Sequence, residues 1–235
     1  MKKINIFLVF LLSALLLLSS LMICREVHGQ QQEQKKFEEL IEIIEPTAEI
    51  AKPTGTCAET ESDMTEPTDQ ELTEPEVQER NLEPLFAQKS ECIGWIYIEG
   101  TNVNYPVMHT PDNPQKYLRK NFDGKYSQSG VPFLDARCSV DEGTAIIYGH
   151  NMKNGTQFGN LRKYLDIDFR RTHPTIELQT KSGVHFYTVV DVIRTDIYDE
   201  IYNQIKAEDN TLILSTCYGS AKSGRLLIIA KEVTD

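Results

Sequence analysis

The sequence predicts a mainly β domain closed into a barrel, with helices at its periphery, behind an N-terminal region that stands outside it. Short apolar or alternating runs recur from Gly94 onward, each bounded by Gly, Pro, Asn or Asp, the pattern of half-buried and fully buried strands. Helical spacing appears only in brief stretches between them, and many strands with few helices point to closure into a barrel. From Asn210 to Val233, NTLILSTCYGSAKSGRLLIIAKEV, two apolar runs are joined by a turn of small residues, which reads as two neighbouring buried strands.

In chain order, Ile4 to Cys24 is apolar apart from Asn5 and a few serines and follows Lys2 and Lys3. It is long enough to cross a hydrocarbon core of ~30 Å. No A-x-A pattern follows and bulky Ile23 precedes Cys24, so residues 1–25 read as an uncleaved anchor rather than a signal peptide. The two lysines favour a cytoplasmic N-terminus, with Arg25 on the far side weakening the asymmetry. The rest of the chain is then expected outside the cell membrane.

Residues 26–80 shift to Glu, Gln, Thr and Pro, with TEP at Thr65 and again at Thr73. Too few apolar groups are present to offset chain entropy, so this stretch is expected to be an extended, self-repelling spacer. Within it Phe37, Leu40, Ile41 and Ile44 fall at helical spacing. One short amphipathic helix is marginal by itself, so a transient helix is expected there, ahead of a partner-binding one. The folded domain is placed at residues 81–235, and a second helical stretch, Gln78 to Lys89, opens it with Leu82, Leu85 and Phe86 on one face.

GWIYIEGTNVNYPVM, Gly94 to Met108, then reads as two strands about the Glu99-Gly100 turn, with Pro106 at an edge or strand end. His109 to Gly130 is loop-rich, VPFLD and TAIIYG are core strands, and Gln157 to Leu165 has Phe158, Leu161 and Tyr164 on one helical face. His185 to Ile193 is an inner strand. Asp196 to Asp209 carries Ile197, Ile201 and Ile205 at steps of four, the spacing of an amphipathic helix capping the barrel.

The formal charge of −11 is unevenly distributed: residues 26–91 hold 18 acidic against 5 basic side chains, whereas 92–235 hold 17 against 16. A near-neutral domain offers no basic field for nucleic acid. The five cysteines, Cys24, Cys57, Cys92, Cys138 and Cys217, contain no CxxC pair and no zinc spacing with histidine. A Cys92 to Cys138 bridge is conceivable, but so sparse a set argues against a disulfide framework.

Cys217 ends one apolar run and Arg225 opens the next, so a thiol and a guanidinium can face one cleft. A free cysteine among apolar residues is often only a small core side chain; a nucleophile needs a partner base. TAIIYGHN supplies one in His150 at the end of another apolar run. His28 follows the anchor, His109 and His173 lie beside proline-bearing loops, and His185 opens a strand without a motif.

YGHN followed by MKNGTQFGNLRKY, then LSTC and an arginine eight residues after the cysteine, resembles the sortases, membrane-anchored cysteine transpeptidases of Gram-positive bacteria, and most closely class B. The likeness runs from about Leu82 to the C-terminus and includes GWIYIEGTNVNYPVM and GVPFLDAR. It implies a closed sortase-type barrel of about eight strands with N-terminal helices packed on it. It also implies Cys217 as nucleophile, His150 as general acid and base, and Arg225 as stabiliser of the oxyanion or substrate backbone. Tyr148, Ser215 and Thr216 match groove positions, and Asn104 matches an NYP motif. No cofactor or metal is implied.

The implied substrates are secreted proteins with a C-terminal sorting signal, LPxTG-like or NPxTN-like, cleaved after threonine. The implied acceptor is an amine of peptidoglycan or its lipid-linked precursor. Pilin polymerisation, simple hydrolysis and an inactive binding module are the alternatives. Two departures stand out: ILSTC replaces TLSTC, and YGSAKSG lacks the acid that class B members often carry between cysteine and arginine. The Asp196 to Asp209 segment is also shorter than the family's usual excursion there.

Overall fold

The computed structural model describes residues 2–45, 80–204 and 210–233. Eight strands close into a barrel in the order β1-β2-β3-β4-β7-β8-β6-β5. They are β1 (Cys92–Tyr97), β2 (Asn104–Met108), β3 (Phe133–Leu134), β4 (Thr144–Tyr148), β5 (Thr175–Thr180), β6 (Val184–Asp196), β7 (Thr211–Cys217) and β8 (Gly224–Glu232). The β2–β3 and β4–β7 pairs are parallel and the other contacts antiparallel. Closure gives each of these strands a neighbour on both sides, the β2–β3 contact being a single pair, Met108 with Phe133.

The strands form where the apolar runs predict them. Trp95, Ile96, Ile146, Ile147, Leu212, Leu214, Leu226 and Ile228 are fully buried, and every residue of β7 except Cys217 is buried. β7 is covered on both faces, so its run has no solvated face to alternate with; β6, expected from His185 to Ile193 as an inner strand, instead keeps one side toward solvent and buries only Tyr187. Cys92 and Cys138 are both buried free thiols, so no bridge joins them. Burial pushes the Cys92 thiol up to about 11 and also raises that of Cys138, as expected of inert core cysteines. Cys57 lies outside the described residues.

Helix α1 spans Lys2–Ile44 without interruption, so the expectation of an extended spacer beginning at residue 26 does not hold for residues 26–44. Phe37, Leu40 and Ile44 are buried in the common core, and the Phe37 ring meets Tyr105 edge-on at 4.9 Å. The helix that would be marginal alone is held by this tertiary surface. The Asn81 N–H donates to the Ile44 carbonyl at 2.9 Å, so the chain re-enters the described structure where α1 ends. Residues 46–79, most of the expected spacer, lie outside the described residues.

Helix α2, Glu83–Gln88, buries Leu85 and Phe86, with Leu82 buried just ahead of it. Helix α3, Ile167–Thr172, follows a 3-10 helix, Gly159–Leu165, that buries Leu161 and Tyr164. The Asp196 to Asp209 helix is not formed over its described part. Asp196 ends β6, a 3-10 turn covers Glu200–Asn203, and residues 205–209 are outside the described set. Asp199 caps that turn by accepting from the Ile201 N–H at 2.9 Å, a local bond that competes with a helix running through the same residues.

Candidate active site

Strand β7 lies between β4 and β8, and three of the residues singled out by the sequence meet at its C-terminal end. Cys217 and Arg225 are direct cross-strand partners, so their side chains share a face with Cβ atoms about 5 Å apart. On the other side, Tyr148 pairs with Ser215 in parallel register at the end of β4, and the Gly149 N–H donates to the Ser215 carbonyl at 3.1 Å just before His150. Side chains tie this end together: Thr216 Oγ1 donates to the Gly149 carbonyl at 2.8 Å and Asn151 Nδ2 to the Cys217 carbonyl at 2.7 Å.

Two glycines make the geometry possible. A side chain on Gly149 would run into the Phe158 ring, which packs beneath the strand end that delivers His150. One on Gly224 would press on the Tyr218 carbonyl, where the Tyr218 N–H donates to the Gly224 carbonyl at 3.0 Å and closes the β7–β8 connection. The small-residue turn read from the sequence thus brings Arg225 opposite Cys217.

His150, Cys217 and Arg225 line one groove of about 630 Å³ together with Tyr148, Ser215 and Thr216. Cys217 is exposed there. His150 is half-buried, and burial, followed by the nearby Arg119 charge, lowers its proton affinity below that of an ordinary imidazole. The Arg225 guanidinium is fixed by donating to the carbonyls of Lys222 at 3.0 Å and Gly224 at 2.8 Å. A thiol, an imidazole biased to its neutral form and a fixed cation can carry out acyl transfer to sulfur.

The remaining predicted residues divide. Ser215 and Thr216 are buried and already engaged, Ser215 with the Tyr202 hydroxyl at 2.8 Å and Thr216 with Gly149. Both line the groove, and these hydrogen bonds hold its walls. Asn104 is not among the groove-lining residues; it pairs with Tyr97 in the β1–β2 ladder and accepts from the Trp95 indole N–H at 2.5 Å.

Sequence reasoning missed the wall built from Asp135, Arg137 and Tyr202. Asp135 accepts from the Tyr148 hydroxyl at 2.8 Å and from both Nε and an Nη of Arg137 at 2.9 Å, and Arg137 donates onward to the Tyr202 carbonyl at 3.0 Å. Burial opposes the charge on Asp135, yet these hydrogen bonds outweigh it and bring its carboxyl down to about 2. Burial, then the Asp135 hydrogen bond and charge, raise the Tyr148 phenol. Tyr148 and Tyr202 stack at 6.3 Å. GVPFLDAR contains Asp135 and Arg137, but nothing in its spacing ties them to Tyr202, 65 positions beyond Arg137. Among the described residues no three His, Cys, Asp or Glu side chains converge as a metal site.

A family model for the sortase domain matches residues 96–233. Sortase B of Listeria monocytogenes is 32% identical over 185 residues, covering 65% of this chain and 74% of that protein. Among solved structures, Clostridium perfringens sortase B shares the fold at a TM-score of 0.60 and 23% identity, over 66% of this chain and all of that one. A Staphylococcus aureus sortase B–substrate complex matches at a TM-score of 0.57 and 26% identity, over 65% of this chain and 84% of that one.

Proposed function

This chain belongs to the sortase family, class B, and is a cysteine transpeptidase of that kind; from that premise we propose that it cleaves a C-terminal sorting signal of secreted proteins after threonine and passes the acyl chain to an amine of the cell wall. The observation that carries the assignment is the cross-strand pairing of Cys217 with Arg225, with His150 lining the same groove. Neutral His150 takes the proton of the Cys217 thiol as the sulfur attacks the scissile carbonyl, and the oxyanion develops beside the fixed Arg225 guanidinium. The intermediate collapses to a thioester as His150 protonates the leaving amine. The neutral imidazole then takes a proton from the incoming amine, which attacks the thioester and releases Cys217. In this reading α1 spans the membrane with Lys2 and Lys3 inside and the barrel outside. The large apolar side chains of α1 from Phe10 to Ile23 are about half or more exposed, and its apolar window has a mean hydropathy of 1.9.

The test is acylation of the full-length protein by LPxTG-like and NPxTN-like peptides, followed by mass spectrometry with and without an added amine. A thioester on Cys217, absent in Cys217→Ala, and an amine-dependent shift from acid to amide product are expected. Acid as the sole product at every amine concentration would make the protein a peptidase; no thioester with either peptide on folded, reduced protein would remove the sorting reading.

A further inference from the structure

The loop from Arg119 to Tyr126 runs along α1: its tip, Asn121 to Asp123, lines a crevice with Lys36, Leu40 and Ile43, away from the apolar run, and its end, at Tyr126, reaches toward that run. A crevice of about 360 Å³ is lined on one side by Met22, Arg25 and Glu26 and on the other by Tyr126 and Gln128, so the barrel reaches down α1 as far as the apolar run itself. Higher on the helix the contact is fixed by Ser129 Oγ donating to the Glu33 carboxylate, by Asn154 Nδ2 donating to Gln30 Oε1 at 3.3 Å, and by Phe37 against Tyr105. From Cys24 to Phe37 a helix rises about 20 Å, and a domain of this size has a radius of gyration of about 15 Å. A barrel docked at that height touches the headgroup layer. Tyr126 is 75% exposed, Arg119, Lys120 and Lys125 are exposed around it, and Asp123 is the acid in the same loop. Tyrosine and basic side chains are what the membrane–water interface favours, and a basic loop is drawn to anionic lipid.

We propose that the Tyr126 end of this loop is a lipid-binding surface, with the Tyr126 ring at headgroup depth and its neighbours Lys120 and Lys125 beside anionic lipid. This rests on the reading of α1 as the membrane anchor. Lys120 is bridged to Tyr126 and Leu118, two residues earlier, lines the groove, so the lipid contact and the groove rim belong to one loop. Peptides and amine acceptors held at the membrane surface then meet the groove without the domain reaching for them.

The test uses full-length Tyr126→Trp in vesicles of phosphatidylglycerol and phosphatidylcholine carrying a headgroup nitroxide lipid. Trp95, the single native tryptophan, is fully buried, so wild-type emission provides the baseline. The emission added by the introduced indole should fall at least about twofold with headgroup nitroxide, and less with a nitroxide deep in the acyl chain. Protein that floats with the vesicles while its added emission is unquenched overturns the lipid contact and leaves the anchor standing. Protein that does not float overturns the anchor, and the contact with it.

Discussion

His150 loses hydration where β4 delivers it into the groove, and Arg119 stands close enough to repel its protonated form. Both effects favour the neutral imidazole, so the acid limb of kcat/KM set by His150 should lie below the ordinary imidazole value of about 6.5. Replacing the cation removes a repulsion on the imidazolium, which raises proton affinity. Arg119→Gln should therefore move that limb to higher pH, measured on acylation rates across pH 4.5 to 8; an unmoved limb would show that the Arg119 charge does not reach His150. Arg225 faces a different demand, since a single Nη donates to both backbone carbonyls while the planar guanidinium carries further N–H donors for the oxyanion, an arrangement that a lysine ammonium does not reproduce. Both Arg225→Ala and Arg225→Lys should lower the acylation rate by about 10²–10³-fold, with thermal midpoints near wild type. Rescue by lysine would mean that charge alone suffices.

At the scale of elements, the C-terminal half of α1 shows how tertiary contact overrides a local reading. Phe37, Leu40, Ile41 and Ile44 were legible as a helical stripe, but whether that stripe meets anything depends on Tyr105 and its neighbours, far along the chain. Phe37 is almost completely buried, so Phe37→Ala should cost about 3 kcal/mol by lost transfer and cavity terms. Chemical denaturation in detergent would measure it; no change in midpoint would mean that α1 does not dock. The Asp196 to Asp209 segment failed in the opposite sense. Its spacing of four is real, yet β6 runs on to Asp196 by pairing with Gly224, and Tyr202 turns to Ser215 instead of joining a helix face.

For the molecule as a whole, the donation from the Asn81 N–H to the Ile44 carbonyl ties the start of the barrel domain to the end of α1, so on the proposed reading of α1 as the anchor residues 46–79 are not expected to set the height of the barrel. Replacing them by a short Gly-Ser linker should leave acylation within about twofold of wild type, and should not lower the unfolding midpoint, because a shorter loop costs slightly less to close. Acylation of a signal peptide in vesicles and a thermal melt would check this. A large loss of activity with the fold intact would give the acidic segment a part in catalysis that the barrel does not show.

The sequence by itself determined the class of barrel, the apolar run near the N-terminus and the meeting of His150, Cys217 and Arg225 at one groove, because each rests on local pattern: apolar runs that end in a reactive side chain, and a turn of small residues that returns the chain beside itself. It also placed Tyr148, Ser215 and Thr216 near the site by their position within those runs. Only the tertiary structure decided that Asn104 serves the Trp95 indole rather than the groove, that Asp135 and Arg137 brace Tyr148 and Tyr202, and that α1 continues from the apolar run onto the barrel. Each of these is a contact between residues remote in sequence or a choice between two partners. Composition and periodicity constrain which face of an element is apolar, but they carry no information about which distant surface it finds.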